Sequence, residues 1–132
     1  MSSRCIFVYG TLRRSAPNNK THLFADTAVY LNSGQTLGRL YLISWHPGMI
    51  PGEAGEWVRG EVWKLNDAGA AFSVLDEYEG PDYQRMQVIV QMDSGSNLEA
   101  WTYFYTGSVE GKDRIESGDW VDVASTVEKP PQ

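Results

Sequence analysis

Only one stretch of this chain repeats its apolar residues at helical spacing, and that limits the fold more than any other feature. Ala68, Ala71, Phe72, Leu75 and Tyr78 fall on one face at about 100° per residue. Asn66 or Asp67 supplies an N-cap, and Glu79-Gly80-Pro81 supplies a stop. The spacing predicts one principal helix over about residues 67–78. Elsewhere the chain alternates or clusters β-forming residues. Arg4 to Tyr9, Thr27 to Leu31, Leu37 to Ile43, Trp57 to Leu65, Tyr83 to Met92 and Glu99 to Tyr105 read as strands. Asn32-Ser33-Gly34-Gln35 carries turn chemistry, Trp45 to Gly52 with its two Pro-Gly pairs reads as a long loop, and Asp93 to Asn97 reads as a hairpin loop. Gly60, inside a strand pattern, marks a bulge or a close backbone approach. Asn19 to Phe24 has the makings of one helical turn. The resulting class is α+β, with a strand-dominated core in a curved or barrel-like sheet.

With 132 residues the chain fits one domain with a buried core. No internal repeat or linker divides it, so residues 1–125 are expected to form a single domain. Residues 126–132, with Pro130-Pro131, read as a disordered tail. A net charge of −6 with no basic run beyond Arg13-Arg14 repels nucleic acid. The apolar stretches are too short to span a bilayer as helices, and Met1 to Arg4 lacks the start of a signal peptide. Cys5 is the only cysteine, which rules out an intrachain disulfide and points to a reducing, cytoplasmic setting. Cys5 also sits in the first strand pattern, where a small core residue is the stronger reading than a nucleophile. His22 and His46 stand far apart with no ligand-spaced partners, so no metal site is expected.

Two features carry chemistry. Glu79 follows Phe72 by seven residues and Leu75 by four, so it projects from the apolar face of the helix, whereas Glu77 points to the solvated side. Desolvation there, the negative end of the helix dipole and the nearby Asp76 are each expected to raise its pKa, as a general base working near neutrality requires. The competing reading is a helix-ending glutamate that reaches water. Tyr9-Gly10-Thr11-Leu12 ends a strand in a glycine turn, which can turn successive backbone N–H groups toward a carboxylate or an oxyanion. An ordinary β-turn is the competing reading. The segment has one glycine only, so it is neither a dinucleotide-binding fingerprint nor a phosphate loop.

The two features stand inside an ordered set of motifs. Phe7-Val8-Tyr9-Gly10-Thr11-Leu12-Arg13, Gly60-Glu61-Val62-Trp63, Leu75-Asp76-Glu77-Tyr78-Glu79-Gly80 and Tyr83-Gln84-Arg85 follow one another over about residues 4–105. In that order they resemble the γ-glutamylcyclotransferase-like family, in its compact branch near the γ-glutamylamine cyclotransferases. Trp45-His46-Pro47-Gly48 stands where relatives have a Tyr-Pro-Gly segment, and Ser15 where many have glycine. The resemblance implies a small mixed sheet partly closed into a barrel, with the site in a cleft. It implies that Glu79 is the catalytic acid/base and that Tyr9, Gly10, Thr11 and Leu12 bind substrate. Arg13 is a candidate carboxylate clamp, with a solvated surface arginine as the competing reading. The implied substrate is a γ-glutamyl amine or amino acid, whose α-amine attacks its own γ-carbonyl to release 5-oxoproline, without a cofactor.

Such chemistry needs no covalent nucleophile, in agreement with a chain that offers no Ser-His or Cys-His pair. A non-catalytic small-molecule-binding module on the same fold, and a structural β-domain whose aromatics form an interface, are the alternatives. The leaving amine and the oligomeric state are not legible in the sequence.

Overall fold

The computed structural model describes residues 4–127 and winds them around a closed five-stranded barrel. Strand β1 is Cys5–Val8, β2 Ala28–Leu37, β3 Arg39–Leu42, β4 Pro47–Ile50, β5 Trp57–Leu65, β6 Tyr83–Met92, β7 Asn97–Tyr105 and β8 Asp113–Arg114. Helix α1 spans Ala68–Glu79 and the short α2 spans Val121–Ala124. The barrel runs β1-β5-β2-β6-β7 and closes by a parallel bridge from β7 back to β1, Trp101 opposite Ile6. Its other four pairings are antiparallel. Outside the ring, β4 lies parallel to β7 at Phe104, β3 pairs with β4, and β8 with β3. Closure leaves no free edge on the barrel itself.

Period-two alternation sorts β1 between two cores. Cys5, Phe7 and Tyr9 belong to the interior cluster with Val58, Val62, Val90, Ala100 and Phe104. Ile6 and Val8 face outward and pack with Leu65, Phe72, Leu75 and Tyr103 beneath α1. The helix is seated by its predicted stripe, with Ala71, Phe72 and Leu75 buried. Burying a leucine or phenylalanine contributes about 1.5–3 kcal/mol. The Asp67 carboxylate accepts from the Ala70 N–H at 3.1 Å, and Gly80 ends the helix at a φ of 81°. That backbone angle suits glycine and strains other residues.

Two local expectations fail. Asn32 to Gln35 is no turn: β2 runs through it as one strand of ten residues. A register shift between Tyr30 and Asn32 absorbs the irregularity as a bulge, and the Asn32 side chain accepts the Ser33 N–H at 2.8 Å. Gly34 is required by neighbours rather than by a turn, since a Cβ there would meet Gln91 O at 2.8 Å. Likewise Pro47–Ile50 is a strand within the stretch read as loop. Proline is tolerated as its first residue, where no ladder donor is needed, and the turn before it is closed by Ile43 N–H to His46 O at 3.0 Å.

Gly60 has the close approach its position suggested, with Val8 O 2.5 Å from where a Cβ would stand. Between Asn19 and Phe24 the helical turn is a 3-10 turn at Thr21–Leu23. Val127 packs against the interior cluster, and residues 128–132 of the expected tail lie outside the described residues. No helix among the described residues is long and apolar enough to cross a membrane.

Candidate active site

Strand β7 has two parallel neighbours on one side, β1 at Trp101 and β4 at Phe104. Where one hands over to the other, the chain leaving β1 must turn aside, and a cleft of about 190 Å³ opens there. Tyr9 spans the handover. Its hydroxyl donates to Tyr103 O at 2.7 Å and accepts from Met49 N–H at 3.1 Å, so it joins the backbones of β7 and β4.

After Tyr9 the chain makes a tight turn, with Arg13 N–H bonded to Gly10 O at 3.0 Å. Gly10 lies against the start of β4: a Cβ would stand 2.7 Å from Pro47 Cγ. Thr11 O accepts Lys20 N–H at 2.7 Å and Leu12 O accepts the Thr21 hydroxyl at 2.8 Å, which pins the carbonyl side of the turn. No described residue accepts from the Thr11 or Leu12 amides. Tyr9, Gly10, Thr11 and Leu12 all line the cleft, and Glu79 lines it from the end of α1. The Thr11 and Tyr78 hydroxyls, 2.8 Å apart, tie the turn to the helix residue beside Glu79.

Arg13 does not line this cleft. It is 8% exposed and donates to Asp119 at 2.7 Å, with its Nε buried and unpartnered among the described residues. It is therefore neither the solvated arginine nor a carboxylate clamp in this arrangement, but a pin between the turn and the segment before α2.

Burial pushes the Glu79 carboxyl up from 4.5 to about 7. The Asp76 contribution expected from sequence is absent, because Asp76 is engaged elsewhere. Burial acts to raise Asp76, but hydrogen bonds from Arg85, at 3.0 Å and 3.3 Å, and from the Tyr103 hydroxyl, at 2.6 Å, outweigh it and hold the group low. Glu79 itself takes no hydrogen bond from a described side chain, so its oxygens are left for a ligand. Four tyrosines surround it. Burial first, and the Glu79 charge among the further causes, raises Tyr9, Tyr78, Tyr83 and Tyr103, so all four remain neutral donors near pH 7.

The Tyr83 hydroxyl donates to Pro47 O at 2.9 Å and stands 3.0 Å from His46 Nδ1. With its one hydrogen given to Pro47, Tyr83 accepts from His46, which fixes the Nδ1–H tautomer and leaves Nε2 an acceptor. Burial lowers the His46 pKa, so the ring is neutral at pH 7.

Sequence reasoning missed Glu61, although it stands in one of the motifs. It is 2% exposed and accepts from Arg14 N–H at 2.9 Å, Ser15 N–H at 3.3 Å, the Ser15 hydroxyl at 3.0 Å and Trp63 Nε1 at 3.3 Å. Ser15 thus supplies two of the four donors. A buried glutamate in an alternating strand beside a tryptophan was the available signal. Among the described residues no group of three or more His, Cys, Asp or Glu side chains is placed to hold a metal ion.

Residues 6–122 match the family described as gamma-glutamyl cyclotransferase, AIG2-like. The chain is 34% identical over 124 residues to the Escherichia coli K12 gamma-glutamylcyclotransferase family protein YtfP, covering 89% of this chain and 96% of that one. Its fold is similar to the crystal structure of YkqA from Bacillus subtilis, at a TM-score of 0.75 and 26% identity, over 95% of this chain and 42% of YkqA. It is also similar to that of a mouse AIG2-like protein, at a TM-score of 0.66 and 28% identity, over 83% and 82% of the two chains. Motif order, barrel and matched length agree: the chain belongs to the AIG2-like gamma-glutamyl cyclotransferase family.

Proposed function

We propose that this protein is a γ-glutamyl cyclotransferase that releases 5-oxoproline from a γ-glutamyl amine or γ-glutamyl amino acid, with Glu79 as the acid/base. The observation that carries the reading is a carboxyl raised to about 7 in the same cleft as the unengaged amides of the Tyr9–Leu12 turn. A group with that pKa is about half ionised at neutrality, so it can take a proton at one moment and return it at another.

Glu79 removes a proton from the substrate α-ammonium, and the freed amine attacks the γ-carbonyl carbon. A carbon–nitrogen bond closes the five-membered ring as the carbonyl oxygen takes up negative charge. Amide hydrogens of Thr11 and Leu12 face either that oxyanion or the substrate carboxylate. When the tetrahedral centre collapses, the bond to the leaving nitrogen breaks, Glu79 delivers a proton to that nitrogen, and the ring nitrogen gives its second hydrogen to the departing amine, which leaves as an ammonium. The cleft's main task is to hold the substrate folded, since an attack within one molecule gains most of its rate from orientation. A site built only to bind gives no reason for the desolvation that Glu79 bears, which counts against the non-catalytic module.

The test is direct. Purified protein is incubated with a panel of γ-glutamyl amines and γ-glutamyl amino acids, and 5-oxoproline is quantified alongside the Glu79→Gln variant. Release by the parent and not by the variant is expected. Absence of 5-oxoproline across the panel removes the proposal.

A further inference from the structure

Five hydroxyls line the cleft, those of Tyr9, Thr11, Tyr78, Tyr83 and Tyr103. Each carries one hydrogen to give. Tyr9 gives its hydrogen to Tyr103 O at 2.7 Å, Tyr83 to Pro47 O at 2.9 Å and Tyr103 to the Asp76 carboxylate at 2.6 Å. Thr11 and Tyr78 are bonded to each other at 2.8 Å, and either can be the donor. That bond uses one of their two hydrogens, and neither hydroxyl has a further hydrogen-bond partner among the described residues. The pair therefore holds the one hydroxyl hydrogen of this lining that the described residues do not already accept. It stands at the end of α1, next to Glu79 in sequence, and on the turn that carries the Thr11 and Leu12 amides.

We propose that the Thr11–Tyr78 pair works as a single catalytic donor, giving its spare hydrogen to the γ-carbonyl oxygen as that oxygen becomes an oxyanion. This rests on the cyclotransferase reading and adds a group to its chemistry. In the tetrahedral intermediate the reacting carbon bears two nitrogens and one oxygen. Glu79 exchanges protons with the nitrogens, so the oxygen is the atom left for a donor beside it. The bond within the pair can run either way. Tyr78 presents the hydrogen when Thr11 donates to it, and Thr11 presents it when the bond is reversed. No proton leaves the pair. A neutral hydroxyl binds more strongly as charge builds on its acceptor, so the contact favours the transition state over bound substrate.

Thr11→Val, Tyr78→Phe and the double variant separate this donor from a mere tie between the turn and α1. kcat and KM for 5-oxoproline release are measured for each with one γ-glutamyl substrate that the parent turns over, and melting is followed by circular dichroism. In a single variant the remaining hydroxyl, released from its partner, still donates, so kcat should fall by no more than about tenfold. The double variant has no spare hydrogen. Its kcat should fall by about 10²–10³, with KM within about threefold of the parent. It should melt no lower than the weaker single variant, because removing both partners of a hydrogen bond strands no polar group. A tie, by contrast, is broken as fully by one substitution as by two. A single variant whose kcat falls as far as that of the double overturns the proposal. So does a double variant that keeps kcat within about tenfold of the parent, or one that loses only in KM. If the double variant does not fold, Thr11→Ala with Tyr78→Phe is read in the same way. A parent that releases no 5-oxoproline from any γ-glutamyl substrate overturns the cyclotransferase reading, and the donor with it.

Discussion

Replacing Glu79 by glutamine separates what the carboxyl does for catalysis from what it costs the fold. Glutamine keeps the shape and removes the titration. The carboxyl stands at 4.5 when exposed and is raised to about 7 in the cleft. For an acid whose folded pKa is raised, ionisation works against folding: the penalty begins as pH passes 4.5, grows up to 7 and is complete above it. At about 1.4 kcal/mol per unit, the full penalty is about 3 kcal/mol, and below pH 5 it is under about 1 kcal/mol. Thermal denaturation of the parent and Glu79→Gln in parallel from pH 5 to pH 9 reads this difference. The variant should melt close to the parent at pH 5 and above it at pH 8, by at most about 10 °C, since the amide must itself be desolvated. Its turnover should fall by about 10²–10⁴ at pH 8, and by less toward pH 5, where the parent's own carboxyl is mostly protonated. A melting difference that does not widen with pH would show that the carboxyl is not held away from water. A variant with near-parental turnover would show that Glu79 moves no proton. Either result refutes the reasoning.

Three further outcomes follow from the same site. For the parent, kcat/KM should climb with pH and level off above about 7, because only the ionised carboxylate can accept the ammonium proton; a profile flat from pH 5 to pH 8 contradicts this. Gly10→Ala places a methyl 2.7 Å from Pro47 Cγ, so the turn or the start of β4 must shift, and kcat/KM should fall by up to about 10² in steady-state assays. Glu61→Ala leaves the Arg14 and Ser15 amides and the Trp63 indole without their acceptor, which should lower stability in urea titration by about 2–5 kcal/mol and raise KM as the turn loosens.

What the sequence disclosed and what it hid divide along the range of the interactions. The α1 stripe and Glu79 depend on residues within two turns of helix, so periodicity alone placed them. The Tyr9–Leu12 turn was visible because a strand halts at a glycine. Features fixed by distant partners were misread. Asn32 to Gln35 has turn composition, yet pairing with β5 on one side and β6 on the other draws it into a strand. Pro47-Gly48 reads as loop punctuation, and its strand exists because β3 pairs along its whole length and β7 adds Phe104 as a parallel partner. Arg13 adjoins the turn in sequence but pairs with Asp119, 106 positions on. Tyr83 and Tyr103, which stand in the same cleft as Glu79, had no local signal, as tyrosines recur throughout the strands. The pKa argument had the right direction, with burial as the cause that acts, and Asp76 adds nothing because Arg85 and Tyr103 occupy it.

The bridge between Ile6 and Trp101 also governs when the site can come into being during synthesis. β1 is made early, yet one of its barrel neighbours, β7, is made after α1 and three-quarters of the strands have left the ribosome. Tyr9 must wait for a carbonyl 94 positions later, and Thr102 hydrogen-bonds Phe7 O across 95. Until β7 is available, β1 can pair only with β5, and its inward phenylalanine has no completed interior to enter. Long loops must close before such contacts repay them, which slows folding. The cleft is thus assembled in the last step, by the same event that seals the ring. A nascent chain stopped short of β7 holds Glu79 on its helix with nothing opposite, and acquires its acid/base together with its stability rather than before it.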